Sequence, residues 1–375
     1  MINTIYSIER KRKMKEITNR FGTGILYEES DLGKNIYCVC TACMSVWSDF
    51  LSFANAEANK GKGGKCVTPY FVEENSNDVL NPTDTIVVLG CQVTDLAIYN
   101  DLKTAEELYK QHPNTSIYMG GCLAQRFDIE LPSYLKRLDV VRKEYVDLKY
   151  VTGFIDYKKP FWNRELKEND DEFAVGNLFR HMYPLKIGAG CHGKCKYCTI
   201  RDTRGETYHT DAYLQVKEFL DHADEGVVVV SDSPTVQQIK DWCNIAIRYN
   251  KPISFRNVEP QNANVCRSEL ISLADKGLLK IFHCPIQSEN SRVLQSMNRN
   301  IEQTLWYFAF AQDLRKCGTK VATNIIIDYV VDGEVIHDMN EDWLNDHFDY
   351  WSWNPYFDGN WDYQKAEERF KKYIR

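Results

Sequence analysis

The chain has 375 residues, of which 43% are apolar and 13% aromatic, so it can form more than one core and is not a disordered polymer. Its formal net charge of −7 gives no overall basic character for binding nucleic acid. No apolar run reaches the roughly 18 residues of a membrane span, and the N-terminus lacks the apolar core of a signal peptide. These features predict a cytoplasmic protein with no membrane association.

The N-terminal half alternates strand and helix patterns, which predicts an α/β domain. The runs "NIYCVC" (35–40), "TIVVLG" (85–90) and "SIYMGG" (116–121) are typical of buried strands, and residues 95–113 have helical periodicity. Parallel strands of an α/β sheet end at one edge, where such proteins place their sites. Cys91, Cys122 and Cys43 follow these three strands, so we expect them to converge.

Strand and helix patterns resume after a polar, charged segment at 156–173, which indicates a linker. At least five further strand-like runs with helices between them predict a full or partial β/α barrel. We therefore divide the chain into an N-terminal Rossmann-like α/β domain (1–155), a linker (156–180), a partial (β/α) barrel (181–340) and an aromatic-rich C-terminal extension (341–375).

The stretch "GAGCHGKCKYCTIRDTRG" (188–205) follows the first barrel strand and places Cys191, Cys195 and Cys198 in a C-x3-C-x2-C pattern. Three thiolates can ligate three irons of a cubane [4Fe–4S] cluster and leave the fourth iron open. An open iron can bind a substrate or cofactor, which predicts a catalytic cluster at the carboxyl mouth of the barrel.

The chain has thirteen cysteines, a number that in a reducing compartment favours metal ligation over disulfides. Isolated cysteines are usually small buried hydrophobes. We expect that role for the five without ligand spacing, which are Cys66, Cys243, Cys266, Cys284 and Cys317.

The cysteine motif, with Tyr197 before its last Cys, resembles that of the radical S-adenosylmethionine (SAM) superfamily. Three stretches in order resemble the methylthiotransferases in particular: "GCLAQR" (121–126), "CKYCTIRDTRG" (195–205) and "CPIQSENSRVLQSMNR" (284–299). Members of that family insert a methylthio group into tRNA bases or a ribosomal-protein aspartate. The similarity extends from about residue 36 to about residue 334.

The resemblance implies a second [4Fe–4S] cluster on Cys43, Cys91 and Cys122. Asp49 stands six residues after Cys43, which matches the family's first cysteine motif, but Val46 stands where the family usually has Asn. Cys40 or Cys38 is therefore an alternative first ligand. With two clusters, the family uses one SAM as methyl donor and another as the source of a 5′-deoxyadenosyl radical, and it draws electrons from a donor such as flavodoxin or ferredoxin.

The resemblance also indicates where SAM would bind. Expected contacts come from the barrel strand ends and from the cysteine loop, and they are Tyr197, Ser231, Asp232, Ser233, Arg256, Gln287 and Ser288. Arg256 suits the SAM carboxylate because a guanidinium forms charge-assisted hydrogen bonds. The polar residues could equally cap loops, and Tyr197 could simply pack.

Two departures from the family bear on the substrate. The run "NIIIDYVVDGE" (324–334) lacks the family's Gly-Phe-Pro-Gly-Glu loop, and about 41 residues after Glu334 leave no room for the C-terminal TRAM module. The extension is rich in aromatic residues instead. We expect these rings to close and cover the barrel, with a solvated terminal helix; the alternative is a platform for stacking peptides or bases.

Three functions follow. The first is a methylthiotransferase acting on a peptide or protein, such as a ribosomally made precursor peptide. The second is a tRNA methylthiotransferase without TRAM, which the absence of a basic stripe disfavours. The third is a non-catalytic iron–sulfur or zinc protein, although zinc motifs typically supply four ligands and these cysteines come in threes.

Overall fold

The computed structural model describes residues 14–27, 35–40, 43–58, 63–67, 84–140, 178–179, 182–204 and 207–373. The expected linker at 156–180 therefore lies almost wholly outside the described residues. No helix in the described part of the chain is long and apolar enough to cross a membrane.

The N-terminal half is a five-stranded parallel sheet with helices on both faces. An antiparallel hairpin, β1 (Met14–Asn19) and β2 (Gly22–Tyr27), precedes β3 (Asn35–Cys40), α1 (Met44–Ala58), β4 (Gly63–Val67), β5 (Thr85–Gly90), α2 (Asp95–Gln111), β6 (Ser116–Gly121) and β7 (Leu135–Arg137). The strand order is β4-β3-β5-β6-β7. This is a doubly wound order, and its switch point lies between β3 and β5, where such folds bind ligands at the carboxyl ends of the strands.

The second half is built on six parallel strands. In chain order its elements are β8 (Tyr183–Lys186), β9 (Gly188–Ala189), α3 (Ile200–Thr203), β10 (Tyr208–His209), α4 (Val216–His222), β11 (Val227–Val230), α5 (Val236–Tyr249), β12 (Ile253–Phe255), α6 (Pro260–Val265), α7 (Arg267–Asp275), β13 (Leu279–His283), α8 (Ser291–Ser296), α9 (Ile301–Lys316), β14 (Lys320–Ile327), β15 (Tyr329–Val331), β16 (Glu334–Ile336), α10 (Glu341–His347), β17 (Tyr350–Pro355) and α11 (Tyr363–Tyr373).

The six strands of this sheet lie in chain order, β8-β11-β12-β13-β14-β17, and every neighbouring pair is parallel. Among the described residues no pairing joins β8 to β17, so the sheet is open rather than a closed barrel. The predicted α/β class with parallel sheets is confirmed.

Helix α1 lies between the two sheets. On β11, Val227 and Val229 face the core formed with the outer helices, whereas Val228 and Val230 belong to the core that contains Trp47 and Phe50 of α1. Alternation along a strand sends successive side chains to opposite faces, so the helix covers one face of the six-stranded sheet and the outer helices cover the other. The two halves therefore share one hydrophobic core.

The C-terminal segment connects both halves. Strand β17 extends the barrel sheet along β14, and Trp351 and Trp353 pack against the barrel core. Helix α11, expected to be a solvated terminal helix, is largely exposed but packs one face on α2: the ring of Tyr99 lies 5.1 Å from that of Phe370, and Arg369 forms a 2.8 Å ion pair with Asp95. The segment thus packs on the barrel and on the N-terminal sheet domain.

Candidate active site

Cys43, Cys91 and Cys122 follow β3, β5 and β6, around the switch point of the N-terminal sheet. Burial raises the pKa of Cys91 well above its ordinary value, and the nearby Cys43 and Cys122 raise it further. The pKa of Cys122 is raised to about 12, chiefly by burial. The three thiols are thus near enough to act on one another, and we call them the auxiliary triad.

Glycines allow these strand ends to approach each other. Gly121 precedes Cys122 with φ +74°, and a Cβ there would meet the carbonyl oxygen of Gly90 at 2.8 Å and Val46 at 2.7 Å. Any larger residue would push α1 and β5 away, because backbone atoms cannot move aside as flexible side chains do. The Gly-Cys pairs at the ends of β5 and β6 are therefore what brings Cys91 and Cys122 together.

Cys191, Cys195 and Cys198, the radical triad, lie in the loop after β9. The Gly193 N–H donates to the Cys191 sulfur at 3.1 Å, and a Cβ on Gly193 would lie 3.1 Å from that sulfur and 4.0 Å from the Cys195 sulfur. The two sulfurs therefore both lie close to Gly193. Burial raises the pKa of Cys198 to about 12, and the neighbouring Cys195 and Cys191 thiols add to the shift.

The donor chemistry of both triads suits an iron–sulfur cluster. Each offers three soft sulfur ligands, which is the ligand type such clusters take. Among the described residues no three His, Cys, Asp or Glu side chains form a group that could hold a metal ion. A cubane cluster distributes its cysteines over separate irons, so its ligands need not converge on one point. The ligand roles of the six cysteines stay predictions.

Other cysteines lie elsewhere. Cys38, an alternative first ligand, is buried in the core with α1, and the side chains of Cys40 and Cys66 lie outside the described residues. Cys243, Cys266 and Cys284 are buried in the barrel core, as expected for small hydrophobes. Half-buried Cys317 donates to the carboxylate of Asp275 at 3.0 Å.

A side-chain amide joins the loops of the two triads. Gln92, the residue after Cys91, donates from Nε2 to the hydroxyl of Thr199, the residue after Cys198, and to the hydroxyl of Thr203 at 3.1 Å. Gln92 is only 1% exposed, so this contact is shielded from water. The two triads therefore lie at one interface, one on each side of it.

A buried ion network holds the same interface. Arg204, which is fully buried, pairs with Asp49 of α1 and, at 2.9 Å, with Asp232 at the end of β11. Lys186 pairs with Asp49 at 2.8 Å. Burial alone would lower the pKa of Arg204, but Asp232 and Asp49 hold it above its ordinary value. The network is balanced, with two cations and two carboxylates.

Asp232 also holds the cysteine loop in place. Its carboxylate accepts from the backbone N–H of Gly190 at 2.8 Å, directly before Cys191, and from the hydroxyl of Ser45 at 2.9 Å. Although burial opposes ionisation, Arg204 and Lys186 keep the pKa of Asp232 below its ordinary value. In the described structure this carboxylate is thus occupied by protein partners.

A cavity of about 550 Å³ lies beside the radical triad, within the usual range for small-ligand pockets. Cys191 and Cys195 line it, together with Ser233 of the expected SAM contacts and with Glu259 and Arg299. The Arg299 guanidinium lies 2.6 Å from the Glu259 carboxylate and 3.8 Å from the Cys195 sulfur. The cavity therefore has a charged wall next to two of the three cysteines.

The remaining expected SAM contacts have other surroundings. Ser231 accepts from the Ser233 N–H at 3.3 Å, and Ser288 bonds the carboxylate of Asp338. Arg256 lies 6.0 Å from the Phe179 ring. Gln287, at φ +72°, bridges to β14 through its backbone, and Tyr197 packs against the cluster that contains Val293 and Met297. Their roles toward SAM stay predictions.

Sequence reasoning missed several residues of the site, among them Gln92, Arg204, Glu259 and Arg299. Arg204 and Arg299 lie in the family-like stretches 195–205 and 284–299, but those stretches do not indicate which residues the two arginines contact. Gln92 and Glu259 carried no signal, because a single polar residue after a strand is typical of any loop.

Comparisons with known proteins bear on the class. No protein-family model matches the chain. The tRNA-2-methylthio-N(6)-dimethylallyladenosine synthase of Amoebophilus asiaticus is 23% identical over 299 residues, which cover 69% of this chain and 61% of that protein. The ribosomal protein uS12 methylthiotransferase RimO of Clostridium novyi is 23% identical over 307 residues, which cover 71% of this chain and 64% of that protein.

A solved structure of the radical S-adenosylmethionine methyltransferase TsrM from Kitasatospora setae aligns with a TM-score of 0.49 and 9% identity, and covers 79% of this chain and 68% of that one. The chain spans about three fifths of the length of the curated relatives it matches. The curated matches make it a distant homologue of the methylthiotransferases. Those relatives include both tRNA-modifying and ribosomal-protein-modifying members.

Proposed function

We propose that this protein is a radical SAM methylthiotransferase that inserts a methylthio group at an unactivated C–H bond of a peptide or protein. The observation that carries the proposal is the buried contact between Gln92 and Thr199, which places the auxiliary and radical triads at one interface. A protein with a single redox centre has no need of a second open triad beside the first. Two cysteine triads whose loops are in contact suit a reaction in which carbon activation and sulfur supply act on one substrate atom.

The residues of the chain have separable roles in this reaction. The two triads would each hold a [4Fe–4S] cluster, which with SAM supplies radical chemistry on one side and sulfur on the other. Gln92, Thr199 and Thr203 fix the separation of the two loops. Arg204 holds α1, and with it the loop of Cys43, against the barrel. The cavity beside Cys191 would receive SAM, with Ser233 among its polar groups.

The charges at the interface favour a peptide or protein acceptor over tRNA. The buried cations near the triads are neutralised inside the protein, Arg204 and Lys186 by Asp49 and Asp232 and Arg299 by Glu259, whereas the exposed Lys194 and Lys196 flank Cys195. Paired cations do not serve to neutralise phosphates, which dominate nucleic-acid affinity. The net charge of −7 points the same way. A peptide can bind through backbone and apolar contacts instead.

Mass spectrometry of modified products tests the proposal. The anaerobically reconstituted protein, reduced by flavodoxin or ferredoxin, is incubated with SAM and either a peptide library or unmodified tRNA. We expect a gain of one CH₂S unit on a peptide and none on tRNA, with C198A as the inactive control. Failure to form 5′-deoxyadenosine at all would leave a non-catalytic iron–sulfur protein.

The second candidate acceptor is tRNA, which the names of several curated relatives favour. Turnover of tRNA with no activity on any peptide would establish it. Its binding should then weaken steeply as salt is raised, because phosphate contacts release counterions.

A further inference from the structure

We propose that Arg299 sets the reduction potential of the cluster at the radical triad through its hydrogen bond to the sulfur of Cys195. Arg299 is in this view a positioning residue, since it acts through Cys195. The inference rests on the proposed function only in requiring a cluster at Cys191, Cys195 and Cys198.

The Arg299 side chain is fixed in one place. Its Nη1 donates to the Cys195 sulfur at 3.8 Å and its Nη2 to the carbonyl oxygen of Pro285 at 2.7 Å, and the side chain is only 4% exposed. A guanidinium held by these bonds and by its ion pair with Glu259, and shielded from water, cannot swing away from the sulfur. Its charge is therefore a permanent feature of the cysteine loop.

The backbone around Arg299 is tied to the same loop. The Lys196 N–H donates to the carbonyl of Met297 at 3.1 Å, and the Asn298 side chain donates to the carbonyl of Lys194 at 3.0 Å. The two bonds are made by Lys194 and Lys196, the residues directly before and after Cys195. Segment 297–299 and the cysteine loop thus form one unit, in which the distance from Arg299 to Cys195 is held by the backbone as well.

Glu259 supplies the opposing charge. Its carboxylate lies 2.6 Å from Nη1 of Arg299, lines the same cavity, and is near enough to act electrostatically on the thiols of Cys191 and Cys198. Arg299 is thus a cation that contacts one ligand sulfur, and Glu259 is an anion near the other two ligands. Their effects on any cluster there have opposite signs.

Physical reasoning gives the direction of each effect. Reduction makes a cluster more negative, so a nearby cation and an N–H donor to a ligand sulfur stabilise the reduced form and raise the potential. A nearby carboxylate lowers it. The pair is largely buried, so salt screens these effects weakly. The auxiliary triad has its own cation, Arg204, which acts on Cys122, so the effect of Arg299 should be local.

Potentiometric titration followed by electron paramagnetic resonance tests the proposal on the reconstituted full chain. A variant with Cys43, Cys91 and Cys122 replaced by Ala, titrated in parallel, assigns which transition belongs to the radical triad. We expect R299Q to shift that transition to lower potential, R299K to shift it less, and E259Q to shift it to higher potential. The other transition should stay in place.

The control is R267Q, which breaks a solvent-exposed ion pair with Asp313 and should leave both transitions unchanged. R299Q is informative when it holds as much iron as the native chain. The proposal would then be overturned if the reduction potential did not shift, or if it shifted in the same direction as in E259Q. Should R299Q fail to hold iron, the upward shift of E259Q decides in its place. Absence of iron at the radical triad in the native chain would instead refute the proposed function.

Discussion

The side-chain amide of Gln92 donates to the hydroxyl of Thr199, although 107 residues of sequence separate them. Each residue directly follows a predicted cluster ligand, Cys91 in one case and Cys198 in the other. One hydrogen bond thus relates a loop of the N-terminal sheet to a loop of the barrel. It is one of the contacts that fix the separation of the two triads, beside the ion network of Arg204.

Replacing Gln92 by Ala should uncouple radical formation from sulfur transfer. Without the amide, the two loops lose a direct contact and can shift relative to each other, and small misplacements of reacting groups cost large factors in rate. We expect 5′-deoxyadenosine to form at a rate close to that of the native protein while methylthiolated product falls by about 10²-fold. Q237A, which removes an exposed glutamine whose side chain donates to Asp241, is the control. Equal loss of both products would argue against a positioning role.

The two triads should be separable by mutation. The native protein should bind about eight irons, as two cubane clusters require. Replacing Cys191, Cys195 and Cys198 by Ala should remove about half of the iron and all 5′-deoxyadenosine, because no open iron remains to bind SAM. Replacing Cys43, Cys91 and Cys122 should also halve the iron but spare 5′-deoxyadenosine. A native iron content near four would remove the second cluster.

Replacing Arg204 by Leu should strongly destabilise the protein. It would leave the buried carboxylates of Asp49 and Asp232 with Lys186 as their remaining cation, and breaking a buried ion pair costs about 3–5 kcal/mol. Denaturant unfolding measures this. R267L, at an exposed pair, should cost less than about 1 kcal/mol. Adding D232N to R204L should restore part of the loss; no restoration would mean that Arg204 stabilises by packing alone.

Stability should depend on pH through His283. Burial, aided by the nearby Arg256, lowers the pKa of His283 to about 3. Its Nδ1 accepts from the Asn257 N–H at 3.2 Å, so Nε2 carries the proton and donates to Asn324 at 2.5 Å. In the unfolded chain His283 binds a proton below about pH 6.5, whereas in the folded chain it does so only near pH 3. The contribution of neutral His283 to the free energy of unfolding is therefore fully present above pH 6.5 and is lost as the pH falls from 6.5 towards 3.

The free energy of unfolding should fall by up to about 1.4 kcal/mol per pH unit below pH 6.5 because of this one group. H283Q should reduce that slope while lowering stability at neutral pH, since it disturbs both hydrogen bonds. Denaturant unfolding between about pH 7 and pH 5 compares the two proteins. Identical slopes would show that His283 is not the titrating group.

Local patterns predicted the elements of the fold well. The runs at 35–40, 85–90 and 116–121 form the strands expected of them, and the helix expected at 95–113 ends at Gln111. Short apolar runs bounded by Gly are strong signals because strand geometry is a local property. The positions of the strand ends also predicted that the loops with Cys91 and Cys122 lie at the same edge of the sheet, since parallel strands end at one edge.

Contacts between distant segments could not be predicted in this way. Asp49 and Arg204 are 155 residues apart, and each alone is typical of a solvated charge. The position of α1 between two sheets depends on Trp47 and Phe50, whose pattern shows burial but not against which partner. Periodicity specifies which face of an element is buried, and tertiary packing decides what covers it.

The segment from α10 to α11 is made last among the described elements, yet it contacts both halves. During synthesis the N-terminal sheet and most of the barrel sheet emerge before Arg369 and Phe370 can reach α2. Domains generally fold as units in the order of their emergence. Until α11 packs on α2, the N-terminal sheet and the barrel sheet lack one of the contacts that hold them together, so the final relative position of the two cysteine loops is set late in folding.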